Sequence, residues 1–150
     1  MFGVRAMLRA VPVAIVLAGL GAAVTWAGPI EDRQQVMKMN GKAIGVLAKM
    51  FKGESPYDAA AAKTNAETIV SDLQKFVTLF PESSKNGPPE TWAKPEIWSD
   101  MDGFKTAADT AMKAATAVAA TSDEASFKTA MSDLGNACGG CHKKFRRPKD

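Results

Sequence analysis

The stretch TSDEASFKTAMSDLGNACGGCHKKFRRP, residues 121–148, has the pattern of one long amphipathic helix. Thr121 and Glu124 have the spacing of a capping box, which marks the start of a helix. Pro148 is expected to end this helix, because proline cannot continue the hydrogen-bonded backbone ladder. Apolar side chains recur every three or four residues and so share one face, which contains Phe127, Met131, Leu134 and Cys138.

A second segment with helical periodicity lies near the start of the chain. It runs from Ile30 to about Gly53, with Pro29 at its beginning and acidic residues in the first turn, where the helix dipole favours them. Its inner stripe is predicted to contain Ile30, Arg33, Met37, Ile44, Leu47 and Phe51, with the small residues Gly41, Gly45 and Ala48 on or beside it.

Two more helices are predicted, with a long connection between them. Asp58 is a good N-cap for a helix that continues to Phe80, where the following proline stops it. Residues 81–97 contain four prolines and little periodicity, so they predict a loop that crosses or covers the structure. The next helix runs from about Ser99 to Ala120. Because no segment alternates like a strand, the predicted fold is all-α, an antiparallel four-helix bundle.

The last predicted helix contains Cys138-Gly139-Gly140-Cys141-His142, which holds both cysteines and the single histidine of the chain. On a helix, two thiols three residues apart face the same way and can add to the two vinyl groups of one haem. His142 follows directly and is placed to bind the iron. The motif therefore predicts one haem c, attached through two thioethers to the C-terminal helix.

Other uses of a Cys-x-x-Cys pair fit this sequence less well. A structural zinc ion usually takes four ligands, and the chain has two cysteines and one histidine, so a carboxylate would have to complete the site. A thioredoxin-type redox pair is expected between a strand and a helix, a context that the all-helical pattern lacks. A disulfide would close a very small loop and would stabilise little chain.

Residues 1–27 have the pattern of a secretory signal peptide. Arg5 and Arg9 precede an uncharged apolar run at residues 10–24, and Thr25-Trp26-Ala27 is a plausible cleavage site. The run is short for a membrane span, although an uncleaved anchor is the alternative. Residues 28–150 are then one haem domain, which we expect in the periplasm.

The charge of the predicted domain is close to neutral. The chain has 19 basic and 16 acidic residues, and two of the basic ones lie in the leader. Nucleic-acid binding is not expected, because it needs many phosphate-neutralising cations on one face. A basic tail after the cysteine motif could dock an acidic redox partner, or could simply complement the helix end; it contains Lys143, Lys144, Arg146, Arg147 and Lys149.

Four strings of residues occur in an order typical of one known family. They are Arg33-Gln34 with Met37-Lys38, then KGESPYD at 52–58, KPEIW at 94–98, and ACGGCH at 137–142 with Phe145-Arg146. In these strings the sequence resembles the cytochrome c′ family, or class II c-type cytochromes, over nearly the whole predicted domain. The resemblance implies a left-handed bundle in which the first helix lines the distal side of the haem.

The resemblance implies two groups of proteins that differ in the sixth ligand of the iron. Low-spin members use a methionine sulfur and carry electrons, whereas high-spin members leave this position open to nitric oxide or carbon monoxide. Met37 matches the position that faces the iron in both groups. Arg33 resembles the family arginine that pairs with a haem propionate, although it could be a surface residue. Arg146, one turn after His142, could lie near the proximal face or complement the helix C-terminus.

These observations favour a periplasmic electron-transfer protein that exchanges electrons with periplasmic or membrane-bound redox proteins. No second acid, base or substrate pocket is visible in the sequence, so an enzyme is not expected. The alternatives are a five-coordinate protein that binds a diatomic gas and a helical interaction module without haem. The resemblance also implies a possible homodimer through the first two helices, but no apolar stripe of this chain can be assigned to that contact.

Overall fold

The computed structural model describes residues 28–148, in which it contains five α-helices. They are α1 (Pro29–Phe51), α2 (Ala59–Phe76), α3 (Glu96–Ser99), α4 (Met101–Ala119) and α5 (Glu124–Phe145), with a 3-10 turn at Glu82–Ser84. This described range has no strand, and one isolated bridge pairs Ala93 with Arg146. None of its helices is both long enough and apolar enough to cross a bilayer. The predicted leader, residues 1–27, lies outside the described residues.

The four long helices pack as a bundle, as predicted. α1 packs on α2, α2 on α4 and α4 on α5, so helices that are consecutive in the chain are neighbours in space. Most of the buried apolar side chains form one cluster, the main core, which includes Leu47, Ile69, Val118, Phe127 and Leu134. A second cluster lies where α2 and α5 end and α4 begins. This aromatic cluster contains Phe80, Ile97, Phe104 and Phe145.

The start of α5 differs from the predicted start. Asp123 is the N-cap, and its carboxylate accepts a hydrogen bond of 2.8 Å from the backbone N–H of Ser126. The capping box predicted at Thr121 is therefore wrong. Thr121 lies outside the helix, where its backbone carbonyl accepts a hydrogen bond of 2.9 Å from the Tyr57 hydroxyl. A carboxylate caps a helix as well as a hydroxyl does, so Asp123 can take the role that the spacing of Thr121 and Glu124 predicted for Thr121.

Two other helix boundaries also differ from those predicted. α2 ends at Phe76, because the next residues form a tighter turn that carries Phe80 into the aromatic cluster. The predicted third helix is interrupted at Asp100, which separates α3 from α4. The Asp100 backbone is not helical, and its carboxylate caps α4 by accepting a hydrogen bond of 3.0 Å from the Gly103 N–H.

α1 turns a slightly different face to the core than the predicted stripe. Phe51 is 38% exposed, so its predicted place in the stripe is wrong, and Met50 is buried instead. Met37 and Ile44 lie half-buried at the edge of the buried face, while Gly41 and Gly45 are exposed. The positions buried on α1 lie three or four residues apart and form one stripe, consisting of Ile30, Arg33, Val36, Asn40, Ala43, Leu47 and Met50.

Asp100 joins the start of α4 to the last turn of α5. Its carboxylate accepts hydrogen bonds from Lys144 Nζ at 2.6 Å and from the Gly103 N–H at 3.0 Å, and these bonds hold the pKa of Asp100 below its usual range. Such a carboxylate adds stability above its unfolded pKa of about 3.9 and loses it as the pH falls through the folded-state pKa. In urea titrations we expect the wild-type protein to be more stable than Asp100→Asn at pH 7, with the difference vanishing in acid.

Asp123→Asn is the matched control for this prediction. Hydrogen bonds from Ser126, rather than an ion pair, lower the pKa of Asp123. Asparagine also caps helices well, so both variants keep a cap. Added salt should shrink the stability difference at Asp100 more than the difference at Asp123, because salt screens ion pairs. Equal sensitivity to salt at the two positions would contradict a contribution from Lys144.

Candidate functional site

The whole Cys-x-x-Cys-His motif lies within α5, close to its C-terminal end. Cys138, Cys141 and His142 share one face of the helix, because residues three and four apart are neighbours. Cys138 packs against the main core and Cys141 against the aromatic cluster; both are half-buried, and neither forms a disulfide. The two thiols therefore lie about one helical turn apart, where the main core and the aromatic cluster adjoin.

Burial also shifts the pKa values of these groups. It raises the pKa of Cys138, and burial together with the nearby Cys138 raises the pKa of Cys141, so each thiol loses its proton less readily than an exposed one. Burial, and to a smaller extent the positive charge of Arg146, lowers the pKa of His142. Both effects favour the uncharged imidazole, which is the form that can offer a nitrogen lone pair to a metal.

Arg33 is buried on the core-facing side of α1 and is not the surface residue that the sequence left as an alternative. It is 4% exposed, and burial lowers its pKa. Its guanidinium lies 4.6 Å from the centre of the Phe80 ring and 5.7 Å from that of Trp98. The two terminal nitrogens donate four hydrogen bonds to the loop, at 2.9–3.3 Å, to Leu79 O, Ser84 Oγ, Ser84 O and Thr91 Oγ1.

The loop that holds Arg33 is also attached to the end of α5. Phe145 O accepts a hydrogen bond of 3.0 Å from the Lys94 N–H, and Trp92 O accepts one of 2.8 Å from the Arg147 N–H. α5 therefore ends at Phe145, before the predicted stop at Pro148, because the residues that follow pair with the loop. The long connection thus joins the α1 face that contains Arg33 to the segment that follows His142.

Arg146 caps the C-terminus of α5. Its backbone N–H donates a hydrogen bond of 2.9 Å to His142 O, and its side chain is exposed. The charge of this side chain acts on His142, as its effect on the pKa of that residue indicates. A contact of Arg146 with haem stays a prediction.

Sequence reasoning missed three of the polar residues around this site. Ser84 and Thr91 bind Arg33 from the loop, and nothing in their spacing indicates this role. Asn40 is buried on α1, and its Oδ1 has no hydrogen-bond partner in the described part of the chain. Its position, three residues after Met37 on the same helix face, was a signal that could have been used.

The four hydrogen bonds from Arg33 to the loop lead to a prediction about the stability of the fold. Replacing Arg33 by methionine leaves the carbonyls of Leu79 and Ser84 without their donors, so we expect the free energy of unfolding to fall by about 3 kcal/mol or more. Gln34→Ala is the control, because exposed Gln34 donates a single hydrogen bond of 2.8 Å to Glu90 O and should cost about 1 kcal/mol or less. Urea unfolding of the purified proteins measures both, and equal losses would contradict the anchoring role of Arg33.

The residues present fit a covalently bound haem. Two thiols and an imidazole lie on one face of α5, and half-buried Met37 borders the same main core as Cys138. Arg33 brings a buried positive charge that no carboxylate of residues 28–148 pairs with. Its terminal nitrogens already bind the loop, so this charge and the Nε–H group are what it can offer to a propionate. Asn40 adds a buried amide oxygen in need of a partner. This set combines soft and nitrogen donors for iron with polar groups for the edge of a porphyrin.

Comparisons of the sequence with known proteins agree with this chemistry. A family model described as Cytochrome C' matches residues 28–146. A cytochrome c-556 of Agrobacterium fabrum is 41% identical over 129 residues, which cover 85% of this chain and 86% of that protein. A cytochrome c′ of Rhodopseudomonas palustris is 36% identical over 136 residues, which cover 90% of this chain and 92% of that protein.

Solved structures share the fold as well. The cytochrome c′ of Rhodopseudomonas palustris superimposes with a TM-score of 0.77 at 33% identity, over 83% of this chain and 100% of that one. An NMR-validated structure of oxidised cytochrome c556 from the same organism gives a TM-score of 0.73 at 32% identity, over 81% of this chain and 98% of that one. The chain therefore belongs to the cytochrome c′ family of class II c-type cytochromes, four-helix bundles that bind haem c covalently.

Proposed function

We propose that this protein is an exported electron carrier whose haem is held by Cys138, Cys141 and His142 of α5 and by Met37 of α1. The observation that carries the proposal is the placement of Met37. Although about a hundred residues separate it from the motif, it is half-buried against the same main core as Cys138. Haem c, when bound, supplies a one-electron couple.

Each of these side chains has one task in the proposal. The thiols of Cys138 and Cys141 would attach the porphyrin to α5 through two thioethers. His142 would bind the iron through a ring nitrogen. Met37 would bind it through its thioether sulfur, since it is a soft donor on an unbranched side chain that adapts to irregular space.

Charged residues around the site support the same function. Arg33 offers a buried positive charge to which a propionate can pair. The end of α5 next to His142 presents exposed cations to a redox partner with an acidic face, which electrostatic attraction would steer toward it. These cations are Lys143, Lys144, Arg146 and Arg147, of which Lys144 already pairs with Asp100 and Arg147 with Glu90. We expect that partner among periplasmic or membrane-bound redox proteins, because residues 1–27 have the pattern of an export signal.

The visible spectrum of the ferric protein at neutral pH tests the proposal. A low-spin spectrum with a far-red sulfur-to-iron charge-transfer band is expected. A high-spin spectrum, together with carbon monoxide binding that displaces no ligand, would replace electron transfer by gas binding, the other function expected from the family resemblance. A colourless protein, made in cells that attach haem to other c-type cytochromes, would instead indicate a helical interaction module.

A further inference from the structure

Among the fully buried polar residues of 28–148, Asn40 alone has a side-chain oxygen without a partner; Asp72 Oδ2 on α2 also has none, but Asp72 is only half-buried. Arg33, Ser84 and Thr91 are buried too, but they bind one another. Asn40 is 9% exposed, and its Oδ1 makes no hydrogen bond within residues 28–148. A buried amide without a partner costs folding free energy, so such a group is expected to have a partner in the functional protein.

The position of Asn40 indicates where this partner lies. It follows Met37 by three residues and Arg33 by seven, so the three side chains lie above one another on successive turns of α1. Ala43, one turn further on, belongs with Met37 to the main core against which Cys138 also packs. Asn40 therefore lies on α1 between Met37 and Ala43, two residues of the core that Cys138 also contacts.

We infer that the Asn40 amide donates a hydrogen bond to the group that binds the iron on the α1 side and thereby sets the reduction potential. The inference rests on the proposed function, in which that group is the Met37 sulfur. The amide oxygen and NH2 group are similar in size, so rotation of the amide brings a donor to the buried position that Oδ1 occupies. The thioether sulfur is an acceptor, although a weak one.

The direction of the effect follows from the chemistry of the sulfur. A hydrogen bond withdraws electron density from the sulfur and makes it a weaker donor to iron. A weaker donor disfavours the ferric form, which has the higher charge, so the hydrogen bond raises the reduction potential. Outer-shell partners are known to tune metal sites in this way.

Asn40→Leu tests the inference, because leucine has a similar size and no donor. In the haem-loaded protein we expect the equilibrium constant for reduction to fall about fivefold to tenfold, the worth of one hydrogen bond. A tenfold change corresponds to 59 mV for a one-electron couple. A potentiometric titration followed by the visible spectrum measures the change, and the charge-transfer band should shift in the same variant.

Asn65→Leu is the matched control, since it makes the same substitution at a half-buried amide of α2. Asn65 Nδ2 already has a partner, because it donates a hydrogen bond of 2.8 Å to Ala61 O. The potential of this variant should equal that of the unmodified protein. An unmoved potential in Asn40→Leu, or an equal shift in both variants, overturns the inference, because Asn40 then serves only the packing of the bundle.

A second measurement separates this inference from the proposed function. If the unmodified protein is low-spin and the potential of Asn40→Leu is unchanged, the proposed function stands and the inference alone fails. If the unmodified protein is high-spin, the proposed function fails. The hydrogen bond from Asn40 is then tested with carbon monoxide as the group that binds the iron on the α1 side. Dissociation of carbon monoxide from ferrous Asn40→Leu should then be about fivefold to tenfold faster, and an unchanged rate overturns the inference.

Discussion

Replacement of both Cys138 and Cys141 by serine is expected to abolish covalent attachment of haem. A serine hydroxyl does not add to a vinyl group as a thiol does, so no thioether can form at either position. The unmodified protein, made with haem-attachment machinery, should keep its colour and its haem mass after denaturation and extraction with acid and organic solvent. The double variant should lose essentially all of its haem in the same extraction.

Two further variants serve as controls. A single serine variant should keep one thioether, so its haem should resist extraction. His142→Ala leaves both thiols in place, so its mass should include haem, while its spectrum and potential change because an iron ligand is missing. If the haem of the unmodified protein can be extracted, the proposed attachment through the two cysteines is wrong. An unchanged spectrum of His142→Ala in both oxidation states would mean that another group binds the iron.

The bundle could be predicted because the apolar residues that define its helices recur at short, regular spacings along the sequence. Apolar side chains at spacings of three and four residues define four helix faces, and the buried face of α5 follows the predicted one closely, with Phe127, Met131 and Leu134 in the core. The helix ends were less predictable, because several residues compete for each end. Asp123 and Thr121 both suit an N-cap, and α2 ends early because tertiary packing draws Phe80 into the aromatic cluster.

The candidate site, like the fold, could be predicted where its residues are close in the sequence and not where they are distant. Its motif lies within one turn or so of a single helix, so the spacing of Cys138, Cys141 and His142 was enough to place them on one face. The surroundings of Arg33 could not be predicted from spacing. Its partners lie 46 to 58 residues away in the sequence, in a loop without periodicity. Only the folded chain shows that this loop joins Arg33 to the end of α5.

Met37→Ala is expected to convert the iron from low-spin to high-spin and to remove the far-red charge-transfer band. Alanine has no sulfur, and in the proposed function the single histidine of the chain, His142, already binds the iron. Carbon monoxide should bind the ferrous variant at least about tenfold faster, because no sulfur must leave first and each 1.4 kcal/mol of barrier is worth tenfold in rate. Stopped-flow mixing and the ferric spectrum measure these changes.

Met39→Ala is the matched control for Met37→Ala. Met39 lies on the same helix two residues later, is 40% exposed, and so faces away from the core. The Met39→Ala variant should leave the spectrum and the rate of carbon monoxide binding unchanged. This result would rule out a general effect of shortening a methionine on α1. If both variants bind carbon monoxide at the rate of the unmodified protein, and that protein is already high-spin at neutral pH, Met37 is not a ligand. The function then becomes gas binding, while the thioether attachment is unaffected, because it depends on α5 alone.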